Sequence, residues 1–321
     1  MSRATSVRRR ANAYLFTTIA TVLLALTYGA RNVAAQPNVT FERLELDGPL
    51  AGQVEISGIV KSQQFDDVWW VHNDSGNAPK LFAVESDGTT IRPPWVDELD
   101  AAGIDLRLAA NIDWEDIALA DGWLYLADIG NNGNARRDLG IYVLPEPNPR
   151  VTTKMRALWH LSVVYPDQTQ FPPKKWHYDA EAVFFHNSTL FVLTKHRRDG
   201  QWDRLARGTN LYALDLSNVQ LDRPNTLTLV DHYAKPAAPT AADLSPDGKW
   251  LAVLTVRRLW FFPNPGDNGQ WLSADPKRTY SVALPDNIGQ AEAVAWDSAT
   301  RLAIVTEGQG AFYRVTVSDL K

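Results

Sequence analysis

A chain of 321 residues without a single cysteine can form neither disulfides nor thiolate metal sites, so its stability rests on a large buried core. Lys and Arg number 32 against 37 Asp and Glu, a formal net charge of −5. Setting aside Arg3, Arg8, Arg9, Arg10 and Arg31 of an N-terminal leader leaves 27 basic against 37 acidic residues, a net charge of about −10. That balance argues against nucleic acid and anionic membrane as partners, since both need a basic surface, and leaves cations and neutral ligands such as sugars.

Residues 1–35 have the layout of a secretory signal peptide. Arg8, Arg9 and Arg10 form a positive start, Ala13 to Ala30 is mostly apolar, and Val33-Ala34-Ala35 offers small residues at the cleavage positions. The alternative is an uncleaved membrane anchor, because the apolar run approaches spanning length. A long exported chain without disulfides fits a bacterial secreted, periplasmic or envelope protein. No membrane contact beyond the leader is expected. Residues 36–321 read as one domain.

That domain is built on five copies of one pattern, a polar residue, a second polar residue two positions on, and a short apolar strand. The copies are Glu55–Val60, Asp113–Ala118, Asp179–Phe184, Thr240–Ser245 and Gln290–Ala295, spaced by 58, 66, 61 and 50 residues. Each is followed, after a turn, by a second apolar run: Val68–Val71, Trp123–Ala127, Leu190–Leu193, Leu251–Leu254 and Leu302–Val305. The turns carry residues such as Asp121-Gly122 and Pro246-Asp247-Gly248. Third strands follow at Lys80–Val84, Gly140–Leu144, Asn210–Leu214, Arg258–Phe262 and Ala311–Val315. Fourth strands are expected at Thr90–Pro94, Met155–Val164, Asn225–Asp231 and Arg278–Ala283. The fifth copy lacks a fourth strand, and Val39–Leu46 is a strand without a partner. The expected fold is an all-β, five-bladed β-propeller closed by its N-terminal strand, with one helical turn at Val96–Ala102. The segment Leu244–Val253 looks like the first hairpin of many propeller repeats.

In a propeller the start of each inner strand and the end of the second strand lie on one face, near the axis. The first inner column holds Glu55, Asp113, Asp179, Thr240 and Gln290, and the second, two residues on, Ser57, Glu115, Glu181, Ala242 and Glu292. The second strands end in His72-Asn73-Asp74, Asp128, Thr194-Lys195-His196, Thr255 to Arg257 and Thr306-Glu307. Crowded carboxylates need a cation, a Lys or Arg, or a retained proton. An oxygen-rich cluster suits a hard cation such as calcium or magnesium. Asn73, Asp113, Asp179, Lys195, His196, Arg257 and Glu307 are candidates for binding a small polar molecule or glycan. His72 and Asp74 are the candidate catalytic pair. Two alternatives stand beside the metal: the glutamates tie neighbouring blades through backbone amides, or they form a purely polar ligand site.

The loops His72–Asn77 and Asp128–Asn132 either bind ligand or are tight turns that need Gly76 and Gly130 for backbone reasons. Trp176-His177-Tyr178 either walls a sugar site or covers the core.

The stretches Trp70–Gly76, Asp113–Ala118, Asp128–Asn132 with Arg137-Asp138 and Ile141-Tyr142, and Tyr178–Ala182 together resemble a group of uncharacterised secreted bacterial propeller-like proteins. The resemblance spans most of the chain after the leader and implies the fold and export, with no activity attached. A more distant likeness is to calcium-dependent propeller hydrolases of the gluconolactonase and phytase-like classes. In that likeness Glu115, Asp128, Glu181 and Glu292 occupy places comparable to metal-binding inner blade ends. Those families are typically six-bladed, so their substrate-binding residues do not carry over.

Three functional readings follow. The first is an exported binding protein whose polar face holds a cation or a glycan. The second is a metal-dependent hydrolase of esters, lactones or phosphate esters, with His72 or Asp74 as general base. The third is a scaffold for contacts with envelope proteins.

Overall fold

The computed structural model describes residues 36–321 apart from Gln53; the expected leader, residues 1–35, lies outside the described residues. The described chain is a ring of five blades. The inner strands are Ile56–Lys61, Trp114–Ala120, Ala180–His186, Pro239–Leu244 and Gln290–Ser298. Each packs against the next and the fifth returns to the first, so the ring is closed. The second strands are Val68–Asn73, Trp123–Asp128, Thr189–Thr194, Trp250–Thr255 and Arg301–Glu307, each antiparallel to its inner strand.

The third strands are Lys80–Glu85, Gly140–Pro145, Arg207–Asp215, Arg258–Pro263 and Ala311–Ser318. The outermost strand of the last blade is Asn38–Glu45, antiparallel to Ala311–Ser318 from Asn38 opposite Ser318 to Glu45 opposite Ala311. This pairing covers the edge of the last blade. The expected helical turn is a short 3-10 turn at Leu99–Ala101.

Fourth strands stand where expected in the second, third and fourth blades, at Trp159–Val164, Thr228–Ala237 and Tyr280–Ala283, each antiparallel to its third strand, and the departures are local. In the first blade Thr90–Ile91 is very short and Ile104–Arg107 also pairs the third strand. Lys154–Arg156 and Asn225–Thr226, expected to continue into fourth strands of their own blades, instead pair in parallel with the outer strand of the preceding blade.

The core is five separate apolar layers, one between each pair of neighbouring blades. A strand therefore buries both faces. Along Val68–Asn73, Val68 and Trp70 enter the layer shared with the second blade, whereas Trp69 and Val71 enter the layer shared with the fifth. That is why the strands read as continuous apolar runs rather than as alternating ones. Trp70, Trp114, Trp271 and Trp296 are fully buried fillers of these layers.

Candidate ligand and cation site

The inner strands share a local irregularity that builds the site. Each carries a β-bulge at its beginning, which inserts one unpaired residue into the ladder: Ser57, Glu115, Glu181, Thr240 and Glu292. Thr240 therefore belongs in the second column, beside Glu115 and Glu181. The sequence alignment of the fourth copy, which put Thr240 first and Ala242 second, is two residues out of register.

A cavity of about 270 Å³ opens at this end of the ring. Its carboxylates are Asp74, Glu115, Glu181, Glu292 and Glu307, against two cations, Lys195 and Arg197. The three glutamates expected to converge thus share one cavity. They are not inter-blade ties: among the described residues no backbone N–H donates to any of them. The residue after Glu115 has that role. Asp116, fully buried, accepts from the backbone N–H of Val183 at 2.8 Å and of Ala242 at 3.2 Å, joining three blades. Asp243 likewise accepts from Trp296 N at 2.7 Å.

The two cations serve one side of the cavity. Lys195 donates to Glu181. Burial pulls the Lys195 ammonium down, but Glu181, Glu292 and Asp179 outweigh it and hold it above its usual value. Arg197 donates through Nε to Asp179 at 2.6 Å, through Nη1 to Trp202 O at 2.6 Å, and through Nη2 to Asn132 Oδ1. Asp128 is also neutralised, by Arg136 at 2.9 Å, and lies outside both groups of acids close enough to share a metal.

The opposite side has no such compensation. Asp74, Asp113 and Glu115 each present a carboxylate oxygen within 4.8 Å of the others, and none of them has a Lys or Arg ion-pair partner among the described residues. Burial, reinforced by Asp74, pushes Asp113 up to about 6. Burial, with Glu181 and Asp74 adding to it, pushes Glu115 well above the usual carboxylate range. Glu292 is raised to about 7 by burial, with Lys195 opposing. A second group, Glu115 with Asp179 and Glu181, is equally close, but two of its members are occupied by Arg197 and Lys195.

Gly130 sits against this cluster. A Cβ there would lie 2.1 Å from Glu115 Oε1 and 2.4 Å from Asp113 Oδ2. Its φ is not positive, so it is the approach of the carboxylates, rather than the backbone conformation, that requires glycine. Gly76 is the reverse case, with φ +78 in a turn and open space around it.

Several expected site residues lie elsewhere. His72 is fully buried in the blade interior, edge-on to Trp114 with ring centroids 5.7 Å apart. It does not line the cavity, and burial lowers it to about 4, leaving it neutral. The pairing of His72 with Asp74 as a catalytic unit is therefore not what the structure brings together: Asp74, beyond the strand end, reaches the cavity and His72 does not. Asn73 is buried, and its backbone carbonyl accepts from Asn111 at 3.0 Å. His196 stacks on His177 at 3.8 Å, away from the cavity. Tyr178 belongs to the core, and none of Trp176, His177 and Tyr178 lines the cavity. Arg257 is exposed and lines a separate cleft.

Asn132, at the end of the loop Asp128–Asn132 expected either to bind ligand or to form a tight turn, lines the cavity, whereas sequence reasoning missed Arg197 and Trp202. Arg197 and Trp202 belong to a small hairpin, Arg197–Arg198 with Gln201–Leu205, inserted between the second and third strands of the third blade. Its one sequence signal is a lone Trp amid charged residues.

No protein-family model matches this sequence, and no curated protein matches it. Among solved structures, the major allergen Mala s 1 of Malassezia sympodialis is similar at 8% identity and a TM-score of 0.50, over 86% of this chain and 96% of that one. A calcium structure of a Trichoderma reesei carbohydrate-active enzyme of family AA12 is similar at 9% identity and a TM-score of 0.49, over 88% and 97% of the two chains. The pyranose dehydrogenase PQQ domain of Coprinopsis cinerea gives 10% identity and a TM-score of 0.43, over 88% and 97%. At such identities the likeness to Mala s 1 is one of fold.

Proposed function

We propose that this is a binding protein that holds a divalent hard cation at Asp74, Asp113 and Glu115 and a small polar or glycan ligand in the adjoining cavity. One observation carries the reading: Asp74, Asp113 and Glu115 lie close together with no basic partner among the described residues, while Asp179 and Glu181 beside them are paired with Arg197 and Lys195. Three ionised carboxylates at this spacing repel one another, and a retained proton neutralises only one. A doubly charged ion with oxygen ligands neutralises the group and suits it by ligand chemistry, with calcium the first candidate. The apparent leader and the lack of cysteine support a secreted or periplasmic location.

The test is elemental analysis of the purified protein together with calcium titration by calorimetry and thermal melting with and without chelator. We expect one ion per chain and a higher melting temperature with calcium, because a ligand bound only by the native state stabilises it. Glu115→Gln and Asp113→Asn remove both effects. A wild-type protein that takes up no divalent ion would overturn the reading.

The hydrolase reading has one observation in its favour. Glu292 lines the same cavity and, held near 7 by burial, is matched to general-base work at neutral pH. Turnover of an ester, lactone or phosphate ester that disappears in Glu292→Gln would establish it.

A further inference from the structure

A second cleft, of about 450 Å³, lies between the third and fourth blades. It belongs to the cavity end of the ring: one of its lining residues, Thr255, pairs with Pro239 at the start of the fourth inner strand. Its charge is the opposite of the central cavity. Arg207, Lys235, Arg257 and Arg258 line it, and no carboxylate does. Arg258 is held by Ser281, donating from Nη2 to the backbone oxygen at 2.7 Å. Arg207, Lys235 and Arg257 are exposed and have no side-chain hydrogen bond or ion pair among the described residues. Three free cations gathered in a recess of an acidic protein form a local field that selects anions.

One strand connects the two recesses. Gln201–Leu205 contributes Trp202 to the wall of the central cavity and Leu205 to the cleft. Trp202 is 65% exposed, an indole face at the mouth of a site that is otherwise polar. Of the twelve residues lining the central cavity only Ile56 and Trp202 are apolar.

We propose that the basic cleft is an anion-binding subsite for an acidic oligosaccharide that continues over Trp202 into the central cavity. The proposal rests on the glycan reading given above and names the ligand class. A carboxylate on one sugar ring is held by Arg207, Lys235 and Arg257. The apolar face of a neighbouring ring lies on Trp202, and hydroxyl groups donate to the carboxylates beyond. A densely charged polyanion is excluded, because the acidic cavity repels it. A peptide fits less well, because its side chains find no apolar pocket in that cavity.

The test is calorimetric titration of the full chain with three probes: a tetrasaccharide bearing a single terminal uronate, the matching neutral tetrasaccharide and a tetraglutamate peptide, each with calcium and with chelator. The uronate should bind tightest, and its affinity should fall as salt is raised. Combined Arg207→Ala, Lys235→Ala and Arg257→Ala should weaken the uronate roughly tenfold and abolish its salt dependence, while leaving calcium uptake and the neutral sugar unchanged. All three positions are exposed, so an unchanged melting temperature is expected. The subsite is refuted if the triple variant binds the uronate as well as the wild type, or if the neutral sugar binds equally well. The saccharide class is refuted if tetraglutamate binds tighter. Loss of calcium binding in the wild type would instead count against the cation reading, since uronate binding with chelator present is read separately.

Discussion

Asp116 of the second blade accepts the backbone N–H of Ala242 in the fourth blade at 3.2 Å, reaching across the ring axis. The same carboxylate oxygen takes Val183 N of the third blade at 2.8 Å, and the other takes Ile117 N at 2.9 Å. Removing it strands buried donors that cost about 1–3 kcal/mol each. Asp116→Ala should therefore lose roughly 3 kcal/mol or more of unfolding free energy in a denaturant titration. Asp116→Asn, which keeps one acceptor oxygen, should lose less. A loss under about 1 kcal/mol for the alanine variant would mean that the three N–H groups find other partners.

Gly130 separates folding from site chemistry. Gly130→Ala places a methyl group against Glu115 and Asp113, and the backbone conformation itself accepts alanine. The variant should fold normally by circular dichroism and lose about tenfold or more in calcium affinity, equivalent to ~1.4 kcal/mol. Wild-type affinity in this variant would place the cation elsewhere.

The acid cluster makes stability depend on pH with a definite sign. Asp113 near 6, Glu292 near 7 and a raised Glu115 all hold protons more tightly in the folded chain than in the unfolded one. Such groups destabilise the fold progressively as pH rises from the unfolded value near 4 through the folded value. The calcium-free protein should melt lower at pH 8 than at pH 5.5 on account of these groups. Calcium should reverse the trend, because it binds the ionised forms, and its affinity should rise across pH 5–7. A calcium affinity that is flat over that range would exclude Asp113 as a ligand.

Deleting residues 36–45 tests the closure. The exposed edge of Ala311–Ser318 then offers free backbone groups to other chains. The shortened protein should melt at a lower temperature and elute in larger species on size exclusion. A monomer of unchanged melting temperature would show that the strand is dispensable.

The blade count was legible because the inner and second strands bury both faces, and five copies of that demand leave five apolar signatures; the closing strand was legible because the fifth copy has no fourth strand of its own. What alternates within a strand was harder to read. His72 and Asp74 are two residues apart, yet only Asp74 reaches the cavity, because the strand ends at Asn73 and the chain turns there. Thr240 was displaced because its bulge carries no carboxylate to mark it. Asp128 looked like a ligand since nothing in the sequence announces that Arg136, eight positions on, folds back onto it. Arg197 was hidden by its hairpin, whose polar composition resembles any surface loop.

The pairing of Asn38–Glu45 with Ala311–Ser318 has a consequence for how the molecule matures. The two segments are far apart in the sequence, so a chain emerging from a ribosome cannot latch until Ser318 is free. Earlier blades can stack only as an unsealed arc, and locking comes as a single late event. Whatever accompanies this chain during folding must tolerate, or shield, that unlatched intermediate.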